Sequence, residues 1–241
     1  MGSIYQNIVE ASVKEEKLLA VLIDPDKMKL KSVSNFISKV NQSIATHIFV
    51  GGSEVDQGIT EVLVSEIKTY TNLPVVLFPG DVIQITDKAD GILFLSLISG
   101  RNADYLIGKH VEAVSRLKQT KLQVIPTGYL LIENGKQTSV ERVSKTKPLK
   151  RNHIQTIIDT AKAGELLGMQ LIYLEAGSGA THPINREIIL QVKETLKIPL
   201  IVGGGIKSKT ELKNAYEAGA DMVVIGTAFE EDEDFFNEIK K

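Results

Sequence analysis

The chain has no cysteine, so disulfide staples and thiolate metal centres are excluded. Tryptophan is absent too, and aromatic residues reach only 5% of the 241 positions. Histidine is sparse: His47, His110, His153 and His182 stand apart without H-x-x-H spacing, and each reads as a surface or helix-end residue. Charge of one sign is not in excess, with 28 basic against 30 acidic side chains. That balance offers no broad cationic field for nucleic acid or an anionic membrane. No apolar run approaches the ~18 residues that cross a bilayer, and the first 17 residues are mixed polar and charged. A soluble, cytoplasmic protein is the expectation. Long polar tracts are also missing, and 43% hydrophobic with 24% charged residues is ordinary globular usage. No linker or low-complexity segment divides the chain, so residues 1–241 are expected to form a single domain.

What is present is a repeat of short buried runs and amphipathic stretches. Leu18–Ile23, Thr46–Val50, Pro74–Phe78, Gly91–Ser96, Leu122–Pro126, Leu171–Glu175, Pro199–Val202 and Met222–Ile225 are apolar without alternation, as strands covered on both faces are. Between them Leu30–Gln42, Ile59–Tyr70, Ala103–Lys118, Ile154–Leu167, Arg186–Leu196 and Lys209–Ala218 have helical spacing, with Gly168 and Gly219 placed as C-caps. Eight strand–helix units in this length predict an α/β fold of the (β/α)8 TIM-barrel type. A doubly wound sheet, with fewer strands, fits less well. Two intervals depart from the repeat. Between Phe78 and Gly91 there is room only for a degenerate third helix or none, which opens the barrel wall. From Thr127 to Asn152 a Gly, Thr, Ser and Lys-rich stretch with a hairpin-like Asn134-Gly135 predicts a long mobile loop. Met1–Glu16 predicts an extra N-terminal helix beneath the barrel.

Barrels of this kind work at the C-terminal ends of their strands. Strand seven ends in Gly203-Gly204-Gly205 and strand eight in Gly226-Thr227. Glycines at neighbouring strand ends expose backbone N–H groups that can cradle a phosphate, although the same residues can serve tight turns alone. Strand six ends in Tyr173-Leu174-Glu175-Ala176-Gly177-Ser178-Gly179, which sets an acid beside that cradle. Strand one ends at Asp24-Pro25-Asp26 and strand two at Gly51-Gly52-Ser53. One carboxylate and one hydroxyl form a sparse oxygen set that suits Mg2+ sharing a substrate diphosphate. A lone Asp at a strand end is more often a helix cap; Asp26 takes that role or is solvated.

The segments LIDPDK (22–27), VGGS (50–53), LFPG (77–80), YLEAGSG (173–179), VGGGI (202–206) and Gly226-Thr227, in this order along nearly the whole chain, resemble the geranylgeranylglyceryl phosphate synthase family. The resemblance implies a prenyltransferase joining sn-glycerol 1-phosphate to a polyprenyl diphosphate through an ether bond, with Mg2+ as cofactor. It implies Asp24 and Ser53 as metal ligands and Glu175 as the group acting on the acceptor hydroxyl. Tyr173, Leu174, Ala176, Gly177, Ser178, Gly179, Gly204, Gly205, Gly226 and Thr227 would then bind the acceptor. The family's barrel also lacks a regular third helix, and its members are usually homo-oligomers. A lipid product is compatible with peripheral membrane contact. Leu22 and Ala176 replace the lysine and tyrosine of shorter bacterial homologues that use a longer donor, which favours a geranylgeranyl over a heptaprenyl chain. The isoprenoid is expected to leave through the gap in the wall near Phe78, Leu97, Ile98 and Tyr105, residues that ordinary core packing would also explain. A phosphosugar-processing barrel enzyme and a non-catalytic phosphate sensor would share the glycine cradle. Neither needs the metal pair or the trench.

Overall fold

The computed structural model describes residues 3–231 and 235–240. Eight parallel strands close into a barrel in chain order: β1 (Leu18–Ile23), β2 (His47–Val50), β3 (Val75–Leu77), β4 (Gly91–Ser96), β5 (Gln123–Leu131), β6 (Leu171–Glu175), β7 (Leu200–Gly203) and β8 (Met222–Ile225). Closure is made by β8 against β1, with Val224 opposite Ala20. The helices among the described residues are α1 (Ile4–Val13), α2 (Leu30–Gln42), α3 (Ile59–Tyr70), α4 (Lys109–Leu117), α5 (Ser139–Ser144), α6 (Ile154–Leu166), α7 (Arg186–Thr195), α8 (Lys209–Glu217), α9 (Thr227–Glu231) and α10 (Phe235–Glu238). None is long and apolar enough to cross a membrane.

Strand parity sorts the apolar residues into two cores. Ala20, Phe49, Val76, Leu93, Ile125, Ile201 and Met222 fill the barrel, while their neighbours Val21, Ile48, Leu77, Ile92, Leu200 and Val223 pack outward against the helices. Both sets are buried, which is why the strands show no alternation in sequence. The N-terminal helix closes the bottom as expected: Ile4, Ile8 and Ala11 join the inner core, and Ser12 Oγ donates to the buried Asp221 at 2.8 Å. His47 sits at this end as well, and the expectation of a surface residue is corrected. It is 5% exposed with Nδ1 2.9 Å from Thr46 Oγ1, and burial lowers its pKa to about 4.

The interval after β3 holds a single 3-10 turn, Val82–Gln84, in place of a helix. The 127–152 stretch differs from the expected mobile loop. Its first residues extend β5 to Leu131, where Thr127 to Leu131 pair with Leu171 to Glu175. Thr127 and Gly128 look unlike strand residues, yet Thr127 satisfies its hydroxyl on the Ile125 carbonyl at 2.9 Å, and Gly128 admits the Ile98 and Ile172 side chains. The remainder is pinned. Ile132 bridges Leu149, Glu133 N donates to the Leu149 carbonyl at 2.9 Å, and Thr138 caps α5 by accepting from Glu141 N at 3.1 Å. Asn134-Gly135 is thus a turn into a helix, with Gly135 at φ +96°, and does not join two strands.

Candidate active site

The strand ends open on a cavity of about 320 Å3, lined by residues following β1 to β4 and β6 to β8 together with Tyr129 of β5. Glu175 ends β6 on the inner face. It is 5% exposed, and burial raises its pKa to about 7 against the pull of the Gly177 N–H and the Tyr173 and Tyr129 hydroxyls. The Gly177 N–H donates to Oε1 at 2.5 Å. Tyr173 is fully buried, stacks on Phe78 with ring centres 5.3 Å apart, and has a hydroxyl without a full hydrogen-bond partner among the described residues. An unsatisfied hydroxyl beside a buried acid points to a ligand that completes the network. Burial and the Glu175 charge hold both phenols well above their ordinary pKa. The phenols therefore act as neutral donors. Tyr129 was not singled out from the sequence. Gly203 is required here because a Cβ would overlap the Tyr173 hydroxyl.

The glycine cradle assembles beside this acid. Gly204 and Gly205 have φ of +83° and +73°, and a Cβ on Gly204 would strike the Glu175 carboxylate. Gly179 N donates to Thr227 Oγ1 at 3.3 Å and Ser178 Oγ lies 3.2 Å from the same atom, so the turns after β6 and β8 are tied together. Ser178, Gly179, Gly204, Gly205, Gly226 and Thr227 all line the cavity. Three of the expected acceptor contacts do not reach it. Leu174 faces the helices by strand parity, Ala176 packs in the same outer core, and the Gly177 N–H is occupied by Glu175.

Next round the barrel from the cradle, where β1 lies beside β8, Asp24 and Ser53 line the cavity together at the ends of β1 and β2. Asp24 Oδ1 accepts from Asp26 N at 3.1 Å, and Oδ2 lies 3.6 Å from Lys27 Nζ. Neither acid caps α2, whose N-cap is Lys29, and of the two readings of Asp26 the solvated one holds, since its side chain is exposed. Gly52 lets the β2 end approach, since a Cβ there would lie 2.9 Å from Asp24 Oδ1. The 3-10 turn anchors this rim through the buried Gln84, which donates to Gly52 O at 2.8 Å and accepts from Gly52 N at 3.3 Å. Among the described residues no cluster of three or more His, Cys, Asp or Glu is arranged for a metal ion. One carboxylate and one hydroxyl suit a hard cation that completes its shell with substrate oxygens and water.

The missing helix leaves an apolar floor that includes Phe78, Ile85, Phe94, Leu97 and Tyr105, and the Lys109–Asp81 ion pair lies at its edge. Ile98 is not part of it. That side chain turns outward between Gly128 and Gly164 to pack on α6. His110, expected as a surface or helix-end residue, lies in the first turn of α4, but it is half-buried, edge-on to Phe94 at 4.4 Å in this floor, and burial lowers its pKa.

A closed parallel barrel with a glycine cradle at the β7 and β8 ends, a buried acid next to it and an apolar trench through a missing helix has the build of a TIM-barrel enzyme with its site at the strand C-terminal ends. The PcrB family model matches residues 11–241, and the chain belongs to that family. A geranylgeranylglyceryl phosphate synthase from Zunongwangia profunda is 58% identical, covering 97% of this chain and 99% of the relative. The protein of that name from Flavobacterium johnsoniae is 56% identical over 98% of each chain. Among solved structures, (S)-3-O-geranylgeranylglyceryl phosphate synthase from Thermoplasma acidophilum, in complex with substrate sn-glycerol-1-phosphate, superposes with a TM-score of 0.93 at 32% identity, covering 99% of this chain and 96% of that one. The tryptophan synthase α-subunit of Pyrococcus furiosus, at 14% identity and a TM-score of 0.54, shares the barrel alone.

Proposed function

We propose that this chain transfers the geranylgeranyl group of its diphosphate to the C3 hydroxyl of sn-glycerol 1-phosphate. The observation that carries the reading is the union of acid and cradle: Glu175 is held on the Gly177 N–H and packs against Gly204, so a glycerol whose phosphate rests on the glycines presents its hydroxyls to a carboxyl with a pKa of about 7. Such a group is half ionised near neutrality and can accept a proton. The C3 oxygen forms a bond to C1 of the allylic donor while the C1–O bond to diphosphate breaks, and the leaving group departs with the bonding pair. The hydroxyl proton passes to Glu175. Tyr173 and Tyr129, both neutral, orient the glycerol by donating to its oxygens. Gly204, Gly205, Gly226 and Thr227, with Ser178 and Gly179, hold the acceptor phosphate. The apolar floor along Phe78, Leu97 and Tyr105 takes the isoprenoid and keeps water from the developing allylic cation.

Asp24 and Ser53 would hold Mg2+, which supplies positive charge against the diphosphate as it leaves. Both line the cavity at the ends of β1 and β2, beside the β8 end of the cradle, so the diphosphate would lie next to the acceptor phosphate round the barrel mouth. Incubation with radiolabelled sn-glycerol 1-phosphate and diphosphates of graded chain length, followed by chromatography, tests the reading. An ether product formed fastest from the geranylgeranyl donor supports it. A heptaprenyl preference would revise the donor, and absence of any ether product would refute the activity.

A further inference from the structure

One cation at this mouth has no role in the account so far. Lys136 lies on the Asn134-Gly135-Lys136 turn between β5 and α5, and its Nζ stands 3.2 Å from where a Cβ on Gly179 would be. Gly179 is the residue whose N–H reaches Thr227 across the cradle. The turn is docked there by buried groups. Asn134, 2% exposed, donates its amide to the Ala176 carbonyl, and Thr138, 5% exposed, packs its methyl on Gly177. Asn134 Oδ1 also accepts from Lys136 N at 3.1 Å, which fixes the start of the lysine side chain. Three other cations of this excursion are engaged, Arg142 with Glu54, Lys150 with Glu133, and Arg151 with the Glu133 and Pro183 carbonyls, while Lys145 and Lys147 are exposed and do not line the cavity. Lys136 makes no ion pair and no side-chain hydrogen bond among the described residues. Its ammonium therefore stands beside Gly179 at the edge of a cradle whose other donors are neutral apart from Lys207, which lines the cavity after the β7 glycines.

We infer that Lys136 is a phosphate-binding residue: its ammonium supplies the positive charge for the acceptor's phosphate and closes the cradle from the side of the β5–α6 excursion. A glycerol phosphate carries close to two negative charges at neutral pH, and backbone N–H groups alone give only partial charges. A lysine within a few ångströms acts as a point charge on that dianion. The inference rests on the reading that the glycines hold the acceptor phosphate. Because the side chain is exposed, its contribution is screened by salt.

The test uses the full chain with Lys136→Met and Lys136→Arg, and Gly226→Ala as a control for the cradle itself. Inorganic phosphate binding by titration calorimetry and steady-state rates are measured at low and high salt. For Lys136→Met the expected result is a five- to tenfold loss of phosphate affinity and an equal rise in KM for glycerol phosphate. The KM for the diphosphate donor and the kcat stay within about twofold. Lys136→Arg keeps wild-type behaviour within twofold, and high salt weakens the wild type more than Lys136→Met. Unchanged phosphate affinity in Lys136→Met while Gly226→Ala loses it would overturn the lysine's role and leave the cradle standing. Unchanged affinity in both would overturn the cradle reading as well.

Discussion

Replacing Glu175 with Gln removes a charge that the fold buries at a cost, and the structure sets the size of the effect. An ordinary glutamic acid titrates at 4.5 and this one at about 7. At ~1.4 kcal/mol per tenfold change in proton affinity, ionising it inside the barrel costs on the order of 3 kcal/mol. The sign follows from proton counting. Between pH 4.5 and 7 the folded chain holds a proton that the unfolded chain has lost, so raising the pH through that window destabilises the fold. Below 4.5 both states are neutral at this site and the penalty vanishes. Gln keeps the acceptor for the Gly177 N–H and carries no charge at any pH. The melting temperature of Glu175→Gln relative to wild type should therefore climb by roughly 6–12 °C between pH 4.5 and 8.5, given the usual sensitivity of a chain this long. At pH 8.5 the kcat of Glu175→Gln should lie about 10²–10⁴ below wild type, and the wild-type rise in kcat through pH 7 should be absent from the variant. A melting difference that stays flat with pH would show that the carboxyl is not charged and buried as described. Retention of wild-type kcat with clean ether product would remove Glu175 as the base.

Two further substitutions probe the rims of the site. Gly203→Ala places a methyl on the Tyr173 hydroxyl, so the fold should lose about 1–3 kcal/mol and the acceptor KM should rise as the ring shifts off Phe78. Adding Tyr173→Phe should recover part of the stability without the KM, since a Cβ on Gly203 would also lie 2.9 Å from Cζ and 3.0 Å from Cε1, and a Gly203→Ala variant that melts like wild type would contradict the packing. Asp24→Asn should raise the Mg2+ concentration for half-maximal rate by at least an order of magnitude and cut turnover at saturating metal, with the melting temperature little changed. EDTA should abolish wild-type activity and added Mg2+ restore it; activity that survives chelation would refute the metal's role.

The strand-end motifs were legible because each follows a short run whose ends are marked by Gly, Pro or a charge. Leu18–Ile23, Gly91–Ser96, Leu171–Glu175 and Met222–Ile225 were read to the residue, and Glu175, Asp24 and the paired glycines came with them. The missing helix was legible as a shortage of residues between Phe78 and Gly91. Parity was the weak point. Leu174 lies between Tyr173 and Glu175, and period-two alternation turns it away from the mouth. Ending the fifth strand at Pro126 hid Tyr129, which continues the inward series of Ile125 and Thr127 and would have been found by counting on in twos. Gln84 and Lys136 carried no local signal, and Asn134 showed only as a turn residue. They matter only because a 3-10 turn and a docked excursion bring them against backbone groups far along the chain. Contacts of that kind are set by tertiary closure, which no local pattern encodes.

In the proposed reaction one oxygen of glycerol phosphate, held between the cradle and Glu175, becomes the ether oxygen of a lipid. This is tested most directly with sn-glycerol 1-phosphate carrying oxygen-18 at the C3 hydroxyl, turned over with geranylgeranyl diphosphate and analysed by mass spectrometry. The expected result is a heavy lipid product and unlabelled diphosphate, because the allylic C–O bond breaks and the labelled oxygen takes its place. An unlabelled lipid, or label found in the released diphosphate, would contradict it.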